Sequence, residues 1–435
     1  MNIEIMHKSQ KTDRLILLFF SLYMILPSYF ALEVNESLPL LTASRFILFF
    51  CFAIIILRKN GRVPILKMDG TLKTYFSLFI LVNIFHIFDL KTSSLNPFLS
   101  ILLEQFGVLW LIMILVNTRH KFEKSVEILM YSSAAVSVIS ILGFIFNTNF
   151  FYILKTVSRT LTQAGMTDIG YRNGLLRVEA GFGHPVYYGM YCSIMIFLCL
   201  YVYNYKNLKA VSFVCLLLNI ISLLLTNSRG SILAVIITFL LTFFINGKKE
   251  RKKYLKIIFG AILIVAILFV LSSKIRDYII GVMQSIFIYF GLSDSISANY
   301  GANISFTSDR LMQFTGIIWT LLHKPITGFG YGAQSTGLIS YYNRGMWFKT
   351  TTFDVGYVEI FCCYGIIGFI ACLFLVKNII KNLKYIKNEP YCIMFRNIFI
   401  VYLLCLLSVV NIDKIFWVIL GLLLAYIRIV KLERG

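Results

Sequence analysis

Hydrophobic positions along this chain come in long runs, with neither the 3.6-residue stripe of a surface helix nor the alternation of a half-buried strand. Twelve runs of 13 to 24 residues are candidates for membrane-spanning helices, each of which requires roughly 20 mostly apolar residues. The first five are Leu15–Leu32, Leu38–Leu57, Thr71–Phe88, Phe98–Val116 and Val126–Phe146. Pro185–Tyr203, Leu208–Leu225, Ser231–Ile245 and Tyr254–Leu271 follow, then Phe353–Val376, Tyr391–Val410 and Ile415–Ile427. Hydrocarbon offers no partner to a bare backbone amide, so each run is expected to be helical. The predicted fold class is an all-α integral membrane protein of about twelve spans.

The polar residues between the runs set a direction. Lys and Arg gather in alternate connections, at Arg58–Lys67, Arg119–Lys124, Lys206–Lys209, Lys248–Lys256 and Lys377–Lys387. The N-terminal segment and the tail from Arg428 keep the same alternation. This positive-inside pattern predicts a multi-pass protein of the cell membrane with both termini cytoplasmic. It also explains the net charge of +21, from 41 basic and 20 acidic residues. Charge spread through short juxtamembrane loops points to lipid headgroups and not to nucleic acid. The nine cysteines fall almost wholly within the runs and read as packing residues. With five scattered histidines and no Cys-x-x-Cys, no metal site and no cofactor are expected.

Two connections on the other side are long, roughly Asn147–His184 and Ser272–Thr352. They divide the chain into an N-terminal membrane region (1–271, nine spans, outer loop 147–184), a large extracytoplasmic helical loop (272–352) and a C-terminal membrane region (353–435, three spans). Asp277–Leu292 reads as a helix lying on the membrane, and Ser308–Leu322 as another, capped by Ser308 and ended by Pro325 and Gly328.

Ionisable residues near these loops are the candidates for chemistry, because charge at membrane depth is costly. Arg45 and Glu104 lie at similar depths in the second and fourth runs, as an ion pair or as part of an anion site. Arg172 and Arg177 precede the helix that opens at Pro185, where guanidinium groups and a helix N-terminus suit phosphate oxygens. His184 can cap that helix or move a proton. Arg229 sits in the tight TNSRGS connection, on the side otherwise poor in basic residues. Arg310 and Arg344 lie in the large loop, which also carries Gly328, Gly330 and Gly332. Asp354 opens the tenth run, as cap or as base toward a sugar hydroxyl, with Tyr357 and Glu359 close behind. The large loop also carries the aromatics Tyr331, Tyr341, Tyr342 and Trp347, which can pack on membrane-facing helices.

Taken in order, Arg177–Gly189 (RVEAGFGHPVYYG), Thr226–Ala234, Arg310–Gly332 and Asp354–Gly368, with the large loop before the tenth run, resemble the O-antigen polymerase and ligase superfamily. The motifs occupy about a fifth of the chain. The resemblance implies a GT-C-like helical fold and a metal-independent glycosyltransferase. Its substrate would be oligosaccharide linked by pyrophosphate to undecaprenol. Arg177 and Arg229 would then hold the leaving pyrophosphate, assisted by Arg45, Arg172 or Arg310, and Asp354 would accept the acceptor proton. Ligases of this superfamily carry His three residues before an aromatic at the start of the span after the loop. Here Asp354 precedes Tyr357, which favours polymerisation of repeat units into O-antigen, capsule or exopolysaccharide. Arg172 and Gly183 also fit an Arg-x10-Gly spacing found in polymerases. The alternatives are ligase-type transfer of finished glycan, or a flippase for the same substrate. The role leaves room for a chain-length regulator and a flippase as protein partners.

Overall fold

A computed structural model describes residues 14–33, 40–58, 68–88, 99–157, 171–172, 175–206, 208–245, 312–331, 333, 337–343, 345–350, 353–409 and 414–434, with isolated positions between 247 and 280. The protein is mostly helical. In chain order the helices are α1 (residues 14–22), α2 (Ala43–Arg58), α3 (Gly70–Phe88), α4 (Val108–Leu115), α5 (Arg119–Ile145), α6 (Pro185–Tyr205), α7 (Lys209–Leu225) and α8 (Arg229–Ile245). Then come α9 (Thr315–His323), α10 (Gly356–Tyr385), α11 (Tyr391–Cys405) and α12 (Lys414–Arg434). A π-helical stretch, Ile101–Gly107, leads directly into α4.

Among the described residues, α3, α5, α6, α10 and α12 are long and apolar enough to cross a membrane, and α2, Leu102–Leu115, α7, α8 and α11 are shorter apolar helices. This is a multi-pass membrane protein. Two helices form its centre. The most apolar window of α6 is 83% buried and that of α12 is 78% buried, against 39–44% in α3, α5 and α10. A helix that is apolar on every side belongs inside a bundle, and the more exposed helices ring it. Small residues bring the central helices close, as lipid-embedded packing favours. A Cβ at Gly189 would stand 2.9 Å from the Ser228 Cβ, joining α6 to α8. One at Gly421 would stand 2.9 Å from Ile112, joining α12 to α4.

Ion pairs gather the basic connections at one end of the bundle. Arg119, opening α5, meets Glu389 at 3.4 Å and Glu433 at 3.3 Å, and Arg434 meets Glu389 at 2.9 Å. Lys206 pairs with Glu123. Asp69 accepts from Lys381 at 2.7 Å and from Asn378 at 3.2 Å. The Lys381 and Thr71 hydrogen bonds hold the Asp69 carboxyl down at about 2.

Three readings of the sequence change. The first run is helical only to residue 22. Turns lead past Pro27, which lacks an amide hydrogen, to strand β1 (Ala31–Leu32), paired with β2 (Leu41–Thr42). The large loop is not helical throughout. After α9 it forms a hairpin of β5 (Ser340–Asn343) and β6 (Met346–Lys349), turning at Gly345 with φ 86°. A short pair, β3 (Tyr171–Arg172) with β4 (Leu175–Leu176), lies in the first long connection. The run Tyr254–Leu271 and the proposed surface helix Asp277–Leu292 fall almost wholly outside the described residues, as does Ser308.

The third change concerns α10, which breaks at Gly365 (φ 59°, ψ −157°). The chain just after Pro325 fills the break. Phe329 and Gly330 donate to the carbonyls of Cys362 and Cys363 at 3.0 and 2.9 Å. Ile366 and Ile367 donate to the carbonyls of Pro325 and Ile326 at 2.9 and 3.2 Å. A Cβ on Gly365 would stand 2.5 Å from the Ile326 carbonyl, and one on Gly328 would stand 2.6 Å from the Gly365 nitrogen. Glycine is required at both places. Gly365→Ala is expected to destabilise the purified protein by at least the ~1–3 kcal/mol of a side chain held in this glycine-only backbone region. Gly70→Ala, where a Cβ meets nothing within 4 Å, is expected to be neutral. Thermal unfolding in detergent compares the two.

Candidate functional site

The end of the bundle opposite the ion-paired basic connections carries the described candidates. The segment before α6 docks on the α7–α8 turn. The Val178 amide donates to the Leu225 carbonyl and Arg177 Nε donates to the Thr226 carbonyl, both at 3.1 Å. The turn is tight, with Asn227 in the left-handed region (φ 49°) and the Ser228 amide on Thr226 Oγ1 at 3.2 Å. Arg229 then opens α8, half-buried. A cation there adds to the positive end of the helix dipole, so the turn favours an anion.

Contacts run on from this turn to Asp354. Gly230 leaves no room for a Cβ against Ser408, just beyond the end of α11. Two residues earlier, the Leu406 carbonyl accepts from the Gly356 amide at 2.9 Å, fixing the start of α10. Asp354 lies two residues before that start. Its backbone amide donates to Gln313 Oε1 at 2.9 Å, which ties it to the chain entering α9. The residue at the cap position of α10 is Val355, with no side-chain cap bond. The Tyr357 hydroxyl donates to the Leu403 carbonyl at 2.7 Å, anchoring α10 to α11. Arg177, Arg229 and Asp354 are thus joined through one series of contacts between the α7–α8 turn, the end of α11 and the start of α10.

His184 is the cap of α6. Its Nδ1 accepts from the Val186 amide at 3.2 Å, so a neutral ring carries its proton on Nε2. Arg45 Nε and Glu104 Oε1 are 3.0 Å apart, with 13% and 19% of their side chains exposed. Arg45 also donates to the Leu40 carbonyl at 2.7 Å, and Ser100 donates to Glu104 at 2.5 Å. Glu104 projects from the π-helical stretch, a rare geometry that recurs at functional sites. Lys414, at the start of α12, donates to Ser44 at 2.8 Å beside this pair. The sequence had suggested no partner for Lys414.

Glu179 was also missed. It is 7% exposed, and its Oε1 accepts from the Tyr152 hydroxyl and from Asn149 Nδ2 at 3.4 Å. Burial pushes its carboxyl above the usual range, against those bonds and the charge of Arg177. As the acidic residue of RVEAGFGH it offered a signal, but a glycine-rich loop gives no periodicity from which to infer burial. In the large loop, Trp347 packs 5.0 Å from Trp319 and 5.4 Å from Tyr342, yet both Trp347 and Tyr342 stay partly exposed. Arg172 contributes its backbone to β3, and its side chain lies outside the described residues. Arg310, Gly332 and Arg344 also lie outside them.

Residues 211–373 match the family model of the O-antigen ligases. The match agrees with the resemblance to the O-antigen polymerase and ligase superfamily, and it supports a function of that general type. It covers α7 from Val211, α8, α9 and α10 as far as Leu373, and so contains Arg229, Asp354, Tyr357 and the Gly365 break. Arg45, Arg177, Glu179 and His184 lie before it. A comparison with curated proteins gives no match.

The buried pair at Arg45 allows a direct test. Arg45→Ala leaves Glu104 buried without its main counter-charge and is expected to destabilise the protein by about 3–5 kcal/mol. Arg45→Met combined with Glu104→Leu is expected to cost much less, because neither charge is then stranded. Thermal unfolding in detergent of the wild type and these two variants measures the difference.

Proposed function

We propose that this chain is a membrane glycosyltransferase that polymerises lipid-linked oligosaccharide repeat units into a surface polysaccharide. It would act at the outer face of the cytoplasmic membrane, on a twelve-span, GT-C-like scaffold with both termini inside. The observation that carries the proposal is the contact series joining Arg177, Arg229 and Asp354 at the end opposite the basic connections. The match of residues 211–373 supports the same class of reaction.

In this reading the acceptor hydroxyl oxygen attacks the anomeric carbon of the donor. The bond from that carbon to the pyrophosphate oxygen breaks, and the hydroxyl proton passes to Asp354. Negative charge grows on the departing lipid pyrophosphate, where Arg177 and Arg229 stabilise it. Fixed cations aimed at developing charge are worth several kcal/mol, roughly 10²–10³-fold in rate for each donor lost. Arg45, with Lys414 nearby, supplies further positive potential, and the ring of apolar helices accommodates the polyprenyl tails. His184 is occupied as a cap through Nδ1 and Tyr357 through its hydroxyl, so both act in this scheme as supports for the site. Arg172, Arg310 and Arg344 remain proposed substrate contacts.

A second reading, transfer of finished glycan to an acceptor, is favoured by the ligase description of the matched family. Against it stands Asp354 at the position where the ligase pattern places His. Either transferase requires the same two groups. Asp354→Asn is expected to lower transfer by roughly 10²–10⁴-fold. Arg229→Ala is expected to lower it by roughly 10²–10³-fold. Both variants should insert at wild-type levels, as immunoblots of membranes will show. Normal polymer from both removes these residues from the mechanism.

A further inference from the structure

The chain holds a second polar feature beside Arg177 that the transfer scheme does not use. Residues at the outer end of α5, the 3₁₀ turn Phe150–Leu154 and the segment from Leu176 enclose a small cavity. Asn149, Tyr152, Arg177 and Glu179 are among the residues that line it, together with the aromatic Phe144 and Phe150. Its volume is about 20 Å³, room for one water molecule or one hydroxyl group and far too little for a sugar ring.

Glu179 is built into this wall. Both of its hydrogen bonds fall on Oε1, from Tyr152 and Asn149. Asn149 is itself fixed, with Oδ1 accepting from the Phe151 amide at 3.1 Å and Nδ2 donating to the Ala180 carbonyl at 3.0 Å. Among the described residues no hydrogen bond reaches Oε2, and Glu179 lines the cavity. A carboxylate more than nine-tenths buried, with one oxygen saturated beside a hydroxyl-sized space, is a costly arrangement unless a donor fills that space.

We propose that this cavity is a saccharide subsite, in which Glu179 Oε2 accepts a hydrogen bond from one hydroxyl of the glycan while the sugar ring rests outside against the aromatic rim. The assignment rests on the glycan-transfer reading above and deepens it. Glu179 and the cation that meets the leaving group are two residues apart in one segment. That segment is pinned to the α7–α8 turn at Leu225 and Thr226. A hydroxyl seated on Glu179 therefore sets the position of the glycan relative to Arg177. Glu179 is a specificity-determining residue in this account, and no proton leaves the substrate through it.

The test uses full-length protein in proteoliposomes, with the lipid-linked glycan extracted from cells lacking this chain as substrate. Truncating a buried partner of a hydroxyl should raise KM roughly tenfold to a hundredfold in Glu179→Ala. The value of kcat is expected to stay within about threefold, and Glu179→Gln, which keeps an acceptor oxygen, to recover most of the loss. Saturation-transfer NMR with the oligosaccharide released from its lipid reads binding without turnover, and its signal should fall in Glu179→Ala. Turnover by wild type with unchanged KM and NMR signal in Glu179→Ala means the cavity holds a structural water only, and overturns the subsite while leaving the reaction standing. A loss confined to kcat, with a displaced pH profile in Glu179→Gln, overturns it in favour of a proton-transfer role. Glu179-dependent binding without turnover by wild type supports the subsite and contradicts the transfer reaction.

Discussion

The backbone pairing between the broken helix α10 and the chain after Pro325 is the constraint on which the rest of this end of the molecule depends. An apolar environment offers nothing to an interrupted helix, so the four groups freed around Gly365 need protein partners. Residues 325–330 supply all four, and two glycines admit them. The large loop is thereby fixed to a membrane helix at a definite register. From that anchor α9 leads back to Gln313, whose side chain holds the Asp354 backbone. The carboxylate proposed as base is positioned by this closure, together with the Gly356 bond to the end of α11.

A second constraint sets the cations. Arg177 and Val178 both bond to the α7–α8 turn, and Gly189 and Gly230 let α6, α8 and the end of α11 meet across the small side chains of Ser228, Ser231 and Ser408. Packing small residues at helix contacts and placing arginines at the ends of those contacts are two sides of one design. Close helices give a rigid floor, and rigidity makes a fixed cation effective toward charge that develops during a reaction.

Much of this was legible beforehand. Apolar run length located most of the helices, and alternation of Lys and Arg picked out the one end of the bundle that ion pairs at Glu389 and Asp69 draw together. Arg45 with Glu104 could be matched by depth alone. The features that escaped are those without a periodic signature. Gly365 sits in an apolar run where a glycine is ordinarily tolerated, and nothing in the sequence says which carbonyls will approach it. SYYN and MWFK around Arg344–Gly345 are strand-prone, yet the surrounding apolar density reads equally as helix. The first run looked like a span to Leu32, although Pro27 marked its limit. Glu179 and Lys414 escaped because their meaning lies in residues distant in sequence, Tyr152 and Asn149 for one and Ser44 for the other.

The central claim is that the charged end of this bundle extends lipid-linked glycan, and the most direct measurement is on the lipid carrier itself. Cells lacking the chain should be extracted and their lipid-linked oligosaccharides weighed by mass spectrometry, with a leaflet-selective label reporting the side on which they lie. Single repeat units stranded on the outer leaflet are the predicted result. Long polymer on its carrier would mean that the chain transfers finished glycan, and single units held on the inner leaflet would contradict the account altogether.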